Sequence, residues 1–145
     1  MQFAQILRSD PEKVFAQVRN ISAATISAGI PVEWDVASTT DGNAVTAAKS
    51  GSLSGLFAGV NHASLADSAY GLIQVYGFRT SAYASCGSAG LPAGNFLQAS
   101  GGIFIDTTLS AATTSGHQFV SLMETVTAAA ANSATLQWNI FIRAM

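Results

Sequence analysis

The chain has 145 residues, 49% of them hydrophobic and only 10% charged, with six Lys and Arg against eight Asp and Glu for a net charge of −2. That length predicts one domain with an ordinary buried core, and the near-neutral balance excludes the electrostatic attraction that nucleic acid or an anionic membrane surface would supply. An average soluble domain carries about 25% charged residues, so a monomer this thinly charged exposes a large neutral surface, which favours association with itself or a partner.

At the start, Phe3, Ile6 and Leu7 share one side of a short helical turn that ends in Arg8-Ser9-Asp10. Such a turn is too short to be stable alone, so residues 1–12 are expected to form an arm that orders by docking, and residues 13–145 a single β domain. Lys13 to Asn20 fits two periods. A helix groups Val14, Phe15, Val18 and Ile21; a strand turns Val14, Ala16 and Val18 inward and Lys13, Phe15, Gln17 and Arg19 outward. The strand is adopted because every later element reads as β.

Asn20 to Gly29 is a small-residue connection. Ile30 to Val36 alternates, with Ile30, Val32, Trp34 and Val36 opposed to Glu33 and Asp35. Pro31 has no N–H, which places it at a strand edge or start. Asp41-Gly42 is hairpin-turn chemistry. The stretch Leu53–Ser85 is central: Leu56 to Val60 is an apolar run, and in Tyr70 to Phe78 the residues Leu72, Gln74, Tyr76 and Phe78 oppose Ile73, Val75 and Gly77. This period-two pattern of β-branched and aromatic residues marks a buried strand, bracketed by Gly71 and Gly77 as close-approach glycines. Thr80–Ser85 continues it.

Further strands are expected at Asn95–Ala99, Gly102–Asp106, His117–Thr125 and Ala134–Arg143, with one helical turn at Ala128–Ala131. Short strands separated by turn chemistry predict an all-β fold, an antiparallel β-sandwich or barrel with an extended N-terminal arm. No repeat longer than a strand is visible, and no linker divides the chain. The uncharged interval Thr125–Ile142 carries Asn132, Ser133, Gln137 and Asn139, which lipid disfavours, and no secretory signal opens the chain. A soluble protein made in the cytoplasm is expected.

The search for reactive chemistry returns little. His62 and His117 have no second ligand at metal spacing, and Cys86 lies among small residues with no basic neighbour to activate it. Glu33 and Asp35 fall on one strand face about 7 Å apart, wider than a retaining glycosidase pair. Gly51-Ser52-Leu53-Ser54-Gly55 centres on leucine rather than serine, so it is not a nucleophile elbow. The expectation is no enzyme, no cofactor and no metal. Tyr70, Tyr76, Phe78 and Tyr83 beside Arg79 suit the buried centre of a subunit interface. On a sheet face, the tyrosines also suit a sugar ring.

Ile26-Ser27-Ala28-Gly29-Ile30-Pro31-Val32-Glu33-Trp34-Asp35, then Asp41-Gly42, Leu56-Phe57-Ala58-Gly59-Val60 and Tyr70-Gly71-Leu72-Ile73-Gln74-Val75-Tyr76-Gly77 resemble the decoration, or cement, proteins of tailed-bacteriophage heads. The likeness spans residues 14 to 85. It implies a β-rich virion structural protein, commonly a homotrimer, made in the host cytoplasm and bound to the major capsid protein on the outer surface of the head between capsomers. The arm residues Phe3, Ile6 and Leu7 would then fold onto a neighbouring subunit. The rival from another class is a phage fibre or adhesin module that binds host glycan.

Overall fold

The computed structural model describes residues 12–36, 42–48, 56–85, 90–106, 120–126 and 136–144. Phe3, Ile6 and Leu7 of the expected arm, Cys86, His117 and the alanine run 128–131 lie outside the described residues. Among those described there is no helix long and apolar enough to cross a membrane. The described residues form nine strands: β1 Val14–Asn20, β2 Pro31–Trp34, β3 Ala44–Ala47, β4 Phe57–Asn61, β5 Tyr70–Ser85, β6 Phe96–Ser100, β7 Ile103–Asp106, β8 Val120–Leu122 and β9 Leu136–Arg143. The all-β expectation holds, and β1 is a strand.

Pairing closes the sheet twice. Strands β1, β3, β2, β4 and the first half of β5 form one ring, closed by β5 against β1; the second half of β5 with β7, β6, β8 and β9 forms another, closed by β9 against β5. The 16-residue strand β5 is therefore a wall of two five-stranded barrels. A full ring satisfies the strand edges that an open sheet would leave unpaired.

The two barrels have the same topology, a repeat that the sequence pattern did not disclose. Each has one parallel contact, β1 with β3 and β5 with β7, and four antiparallel ones in the same order. The register matches residue by residue: Val32 faces Ala47 as Leu97 faces Asp106, Pro31 faces Val60 as Phe96 faces Ser121, and Val18 faces Gly71 as Ala82 faces Trp138. Loops match too. The isolated bridge Ile26–Leu65 corresponds to Leu91–Val126, and the Gly29 N–H donates to Asn61 O at 2.9 Å where Gly94 donates to Leu122 O at 2.7 Å. Spacing between equivalent residues drifts from 59 (Val45 to Phe104) to 67 (Ile73 to Ile140), which hides the repeat from any fixed-period search.

Inward residues build two cores. Val18, Val32, Val45, Ile73 and Val75 fill the first barrel; Leu97, Phe104, Leu122, Trp138, Ile140 and Ile142 fill the second. The expected alternations in β1 and β5 hold, and β9 alternates too, with Trp138, Ile140 and Ile142 buried between the less buried Gln137, Asn139 and Phe141. That of β2 fails beyond its end: Val36 is 70% exposed because the strand stops at Trp34, while Glu33, expected on the solvated side, is buried. Pro31 opens β2 and its missing N–H costs the ladder nothing, although β3 and β4 flank this strand on both sides. On β5, three steps from Arg79 to Ala82 oppose two on β9 from Ile140 to Trp138. That bulge adds one residue and increases the local twist, which bends the strand around the second barrel.

Two buried asparagines pin the loops of the first barrel. Asn20 Nδ2 reaches the carbonyls of Ala24, Leu65 and Ala66, and its Oδ1 accepts from the Ser22 N–H. Asn61 Nδ2 reaches those of Ile26, Ser27 and Ala63. The second barrel has Ala84 and Leu122 at these positions.

Candidate interaction face

Strand alternation sends Tyr70, Leu72, Gln74, Tyr76 and Phe78 to the outer side of β5, opposite Ile73 and Val75. Tyr70 is 57% and Leu72 47% exposed. Long-range pairing adds neighbours. On one side β1 brings Gln17 opposite Leu72 and Phe15 opposite Gln74; on the other β9 brings Phe141 opposite Phe78. Phe15 stacks edge-on against His62 at 4.9 Å, and Tyr76 against Phe141 at 5.4 Å. Such edge-to-face pairs fix ring positions on the surface. Beneath them Gln74 is buried, its amide donating to the carbonyls of Tyr76 and Phe78.

The charged side chains on the wall's own strands are basic. Lys13 and Arg19 share the outward side of β1 with Phe15, and Arg143 lies 5.6 Å over the Phe141 ring, within cation–π range. No described carboxylate belongs to β1, β5 or β9, but Glu12 and Asp67 stand at the margins, and Glu124 reaches β9, its Oε1 accepting from the Asn139 N–H at 2.6 Å and its Oε2 from Asn139 Nδ2 at 3.2 Å. Asp67 is engaged there, accepting from the Ala23 N–H and the Ser68 hydroxyl. The wall is an aromatic stripe whose strands carry basic side chains, with carboxylates at its margins.

Of the five interface residues named from the sequence, Tyr70, Tyr76 and Phe78 come together on this wall, the last two half-buried. Arg79 turns the other way. It is 7% exposed, and its guanidinium donates to the carbonyls of Ser81 and Asn61 at 2.9 Å each, with burial pulling its pKa below the ordinary arginine value. Tyr83 lies in the seam between barrels, where its ring approaches Gly29 and its N–H donates to the Gly29 carbonyl at 3.0 Å. Phe15, Leu72 and Phe141 were missed as members. Their outward positions were legible from alternation, but their adjacency depends on strand pairing across more than 50 residues.

Among the described residues no group of three or more His, Cys, Asp or Glu is placed to hold a metal ion. His62 is occupied with Phe15. The chain matches no family model, and it matches none of the curated proteins.

Proposed function

We propose that this chain is a virion structural protein, a decoration protein that binds the outside of a bacteriophage head between capsomers and stabilises it without catalysis. The observation that carries the reading is the aromatic stripe around the exposed Tyr70 and Leu72, with basic side chains on its strands. Exposed aromatics with arginine are the composition of protein-binding surfaces, and they stand on a wall of two closed barrels, a rigid mount. The resemblance over residues 14–85 points the same way, as does the low charge content. In this reading copies of the chain associate, residues 1–9 add an arm to the attachment, and many weak contacts across a shell sum to firm binding.

The test is co-sedimentation of the purified protein with emptied heads of the parent phage. Saturable binding is expected, weakened when residues 1–9 are deleted. No binding to heads would overturn the decoration reading, and undiminished retention after the deletion would remove the arm from it. The glycan-binding alternative draws on the same exposed Tyr70. Saturable binding on a glycan screen, lost on Tyr70→Ala, would put it in place of the decoration reading.

A further inference from the structure

Three apolar side chains are exposed together at one end of the β5 wall. Tyr70 is 57%, Leu72 47% and Phe15 37% exposed. The β1–β5 register gathers them, with Arg19 facing Tyr70, Gln17 facing Leu72 and Phe15 facing Gln74, and the Phe15 ring rests edge-on against His62 at 4.9 Å. A fully buried aromatic side chain contributes about 150–250 Å², which puts the exposed parts of these three at roughly 300 Å². A standard protein contact takes about 800 Å² from each partner. The cluster is therefore too small for two such walls to hold each other, and it suits a short segment with a few apolar side chains.

The chain supplies a segment of that kind beside the cluster. Residues 1–11 lie outside the described residues, and their sequence carries Phe3, Ile6 and Leu7. The described chain opens at the exposed Glu12, whose carbonyl oxygen lies where a side chain on Gly77 would go, with Lys13 Cα 3.2 Å from the same point. The segment therefore joins the fold next to Tyr76, six residues along β5 from Tyr70. β1 runs from there towards Tyr70, so the segment must reverse before Glu12 if it is to lie on the stripe. Ser9-Asp10-Pro11 supplies turn chemistry at that place. Lengths agree as well: Tyr76 to Tyr70 is about 20 Å along the strand, and residues 1–8 span about 26 Å when extended. Charge agrees in direction. Asp10 belongs to the turn, and the basic Lys13 and Arg143 stand at the Tyr76 end, where Arg143 faces Tyr76; an exposed pair of this kind orients more than it strengthens.

We infer that residues 1–8 form a strap on the wall of their own chain, folding back at Ser9-Asp10-Pro11 so that Phe3, Ile6 and Leu7 pack over Tyr70, Leu72 and Phe15. The occupant comes from the same chain rather than a neighbour because a short tether holds it at an effective concentration in the millimolar range, above that of other copies in dilute solution. Any partner of the wall then has to displace the strap, so the arm competes for this surface as well as making contacts of its own. The inference does not rest on the decoration reading: the strap belongs to the free protein, whereas attachment to heads reads the state in which arm and wall have parted.

Isotope-filtered NMR of the full chain tests this. In the wild type, nuclear Overhauser contacts from the Ile6 and Leu7 methyl groups to the Tyr70 and Phe15 rings are expected. A one-to-one mixture of labelled and unlabelled chains should show none of them between molecules. Leu7→Asp should abolish these contacts, shift the Tyr70 and Leu72 resonances, and leave those of the core residues Ile73 and Ile140 in place. It should also raise the fluorescence of a hydrophobic-surface dye several-fold, as the stripe is uncovered. Tyr70→Ala, at an exposed site, should return the Ile6 methyl shifts to random-coil values. Random-coil shifts for Ile6 and Leu7 in the wild type would overturn the inference. So would arm–wall contacts seen only between molecules, or Tyr70 and Leu72 resonances that do not respond to Leu7→Asp.

Discussion

Asparagine 20 offers the sharpest test of how the first barrel is held. Replacing it with alanine installs the residue that the second barrel carries at the same place, Ala84, so the fold itself has no objection. Asn20 is completely buried and its amide group is fully used, with three carbonyls around Nδ2 and the Ser22 N–H on Oδ1. Two N–H groups and one acceptor make three bonds at any moment, each worth about 1 kcal/mol net. The carbonyls keep second partners, Ile26 N–H on Leu65 O and Ala69 N–H on Ala66 O, so the orphaning penalty is confined to Ser22. Asn20→Ala should therefore cost about 3 kcal/mol, a fall in Tm of about 6–12 °C for a domain this size. Asn61→Leu, which installs the counterpart Leu122, should cost less, about 1 kcal/mol, because Asn61 Oδ1 is buried without a partner and its removal offsets part of the loss. Urea denaturation of both variants checks the pair. An Asn20→Ala protein within about 0.5 kcal/mol of wild type, the ordinary range for inert surface changes, would refute the view that this side chain ties the loops together, as would the reverse ranking.

The tryptophans fall one to each barrel, Trp34 against the first core and Trp138 within the second. Because β5 belongs to both, Trp34→Phe and Trp138→Phe variants should report coincident unfolding transitions by fluorescence; two separated midpoints would show the barrels to be independent. Glycine substitutions should rank by backbone. Gly77→Ala, with φ at 101° and the Glu12 carbonyl where the methyl group would go, and Gly59→Ala, with φ at 152° and Gln74 O at 2.6 Å, should each cost about 2 kcal/mol or more. Gly42→Ala, with open space around it, should cost only about 1 kcal/mol from its positive φ, and thermal melts that rank Gly42 first would contradict the geometry.

Much of the fold was legible locally. The alternation in Val14–Asn20, Tyr70–Phe78 and Leu136–Arg143 has a period of two, and burial follows it because side chains on a strand must alternate. Gly101 and Gly102, at φ 59° and 77°, make the turn between the strands around Leu97 and Phe104, one residue later than the Ser100-Gly101 interval expected there. What failed was whatever depended on partners distant in sequence. Glu33 alternates like a solvated residue, yet the outer face of β2 is covered. Arg79 sits among outward aromatics in sequence, yet like the odd residues 73–77 that precede it on β5 it is buried, and it is spent on the carbonyls of Ser81 and Asn61. The wall's basic side chains were hidden as a set for the same reason: Arg19 and Arg143 are more than 120 residues apart and meet the stripe only through β1 and β9.

The duplication went unseen for a further reason, which lies in the environments rather than the alignment. Ala28-Gly29 and Ala93-Gly94 are identical pairs at the same turn, both glycines with positive φ, because a left-handed residue is needed there in either barrel. Core positions keep their character: Ile73 and Ile140 are both isoleucine, and Val32 answers to Leu97. Identity is lost where one barrel is covered and the other is not. Val60 is buried and its equivalent is Ser121; Thr46 is buried and its equivalent is Ile105, more exposed despite being apolar. A residue under cover is selected by what packs on it, whereas a bare one is selected by solvent or by a partner. Serine at 121 suits solvent. Isoleucine at 105 and phenylalanine at 96 stay apolar instead, Ile105 half-buried and Phe96 with contacts of its own, so exposure alone does not set the residue type on this wall.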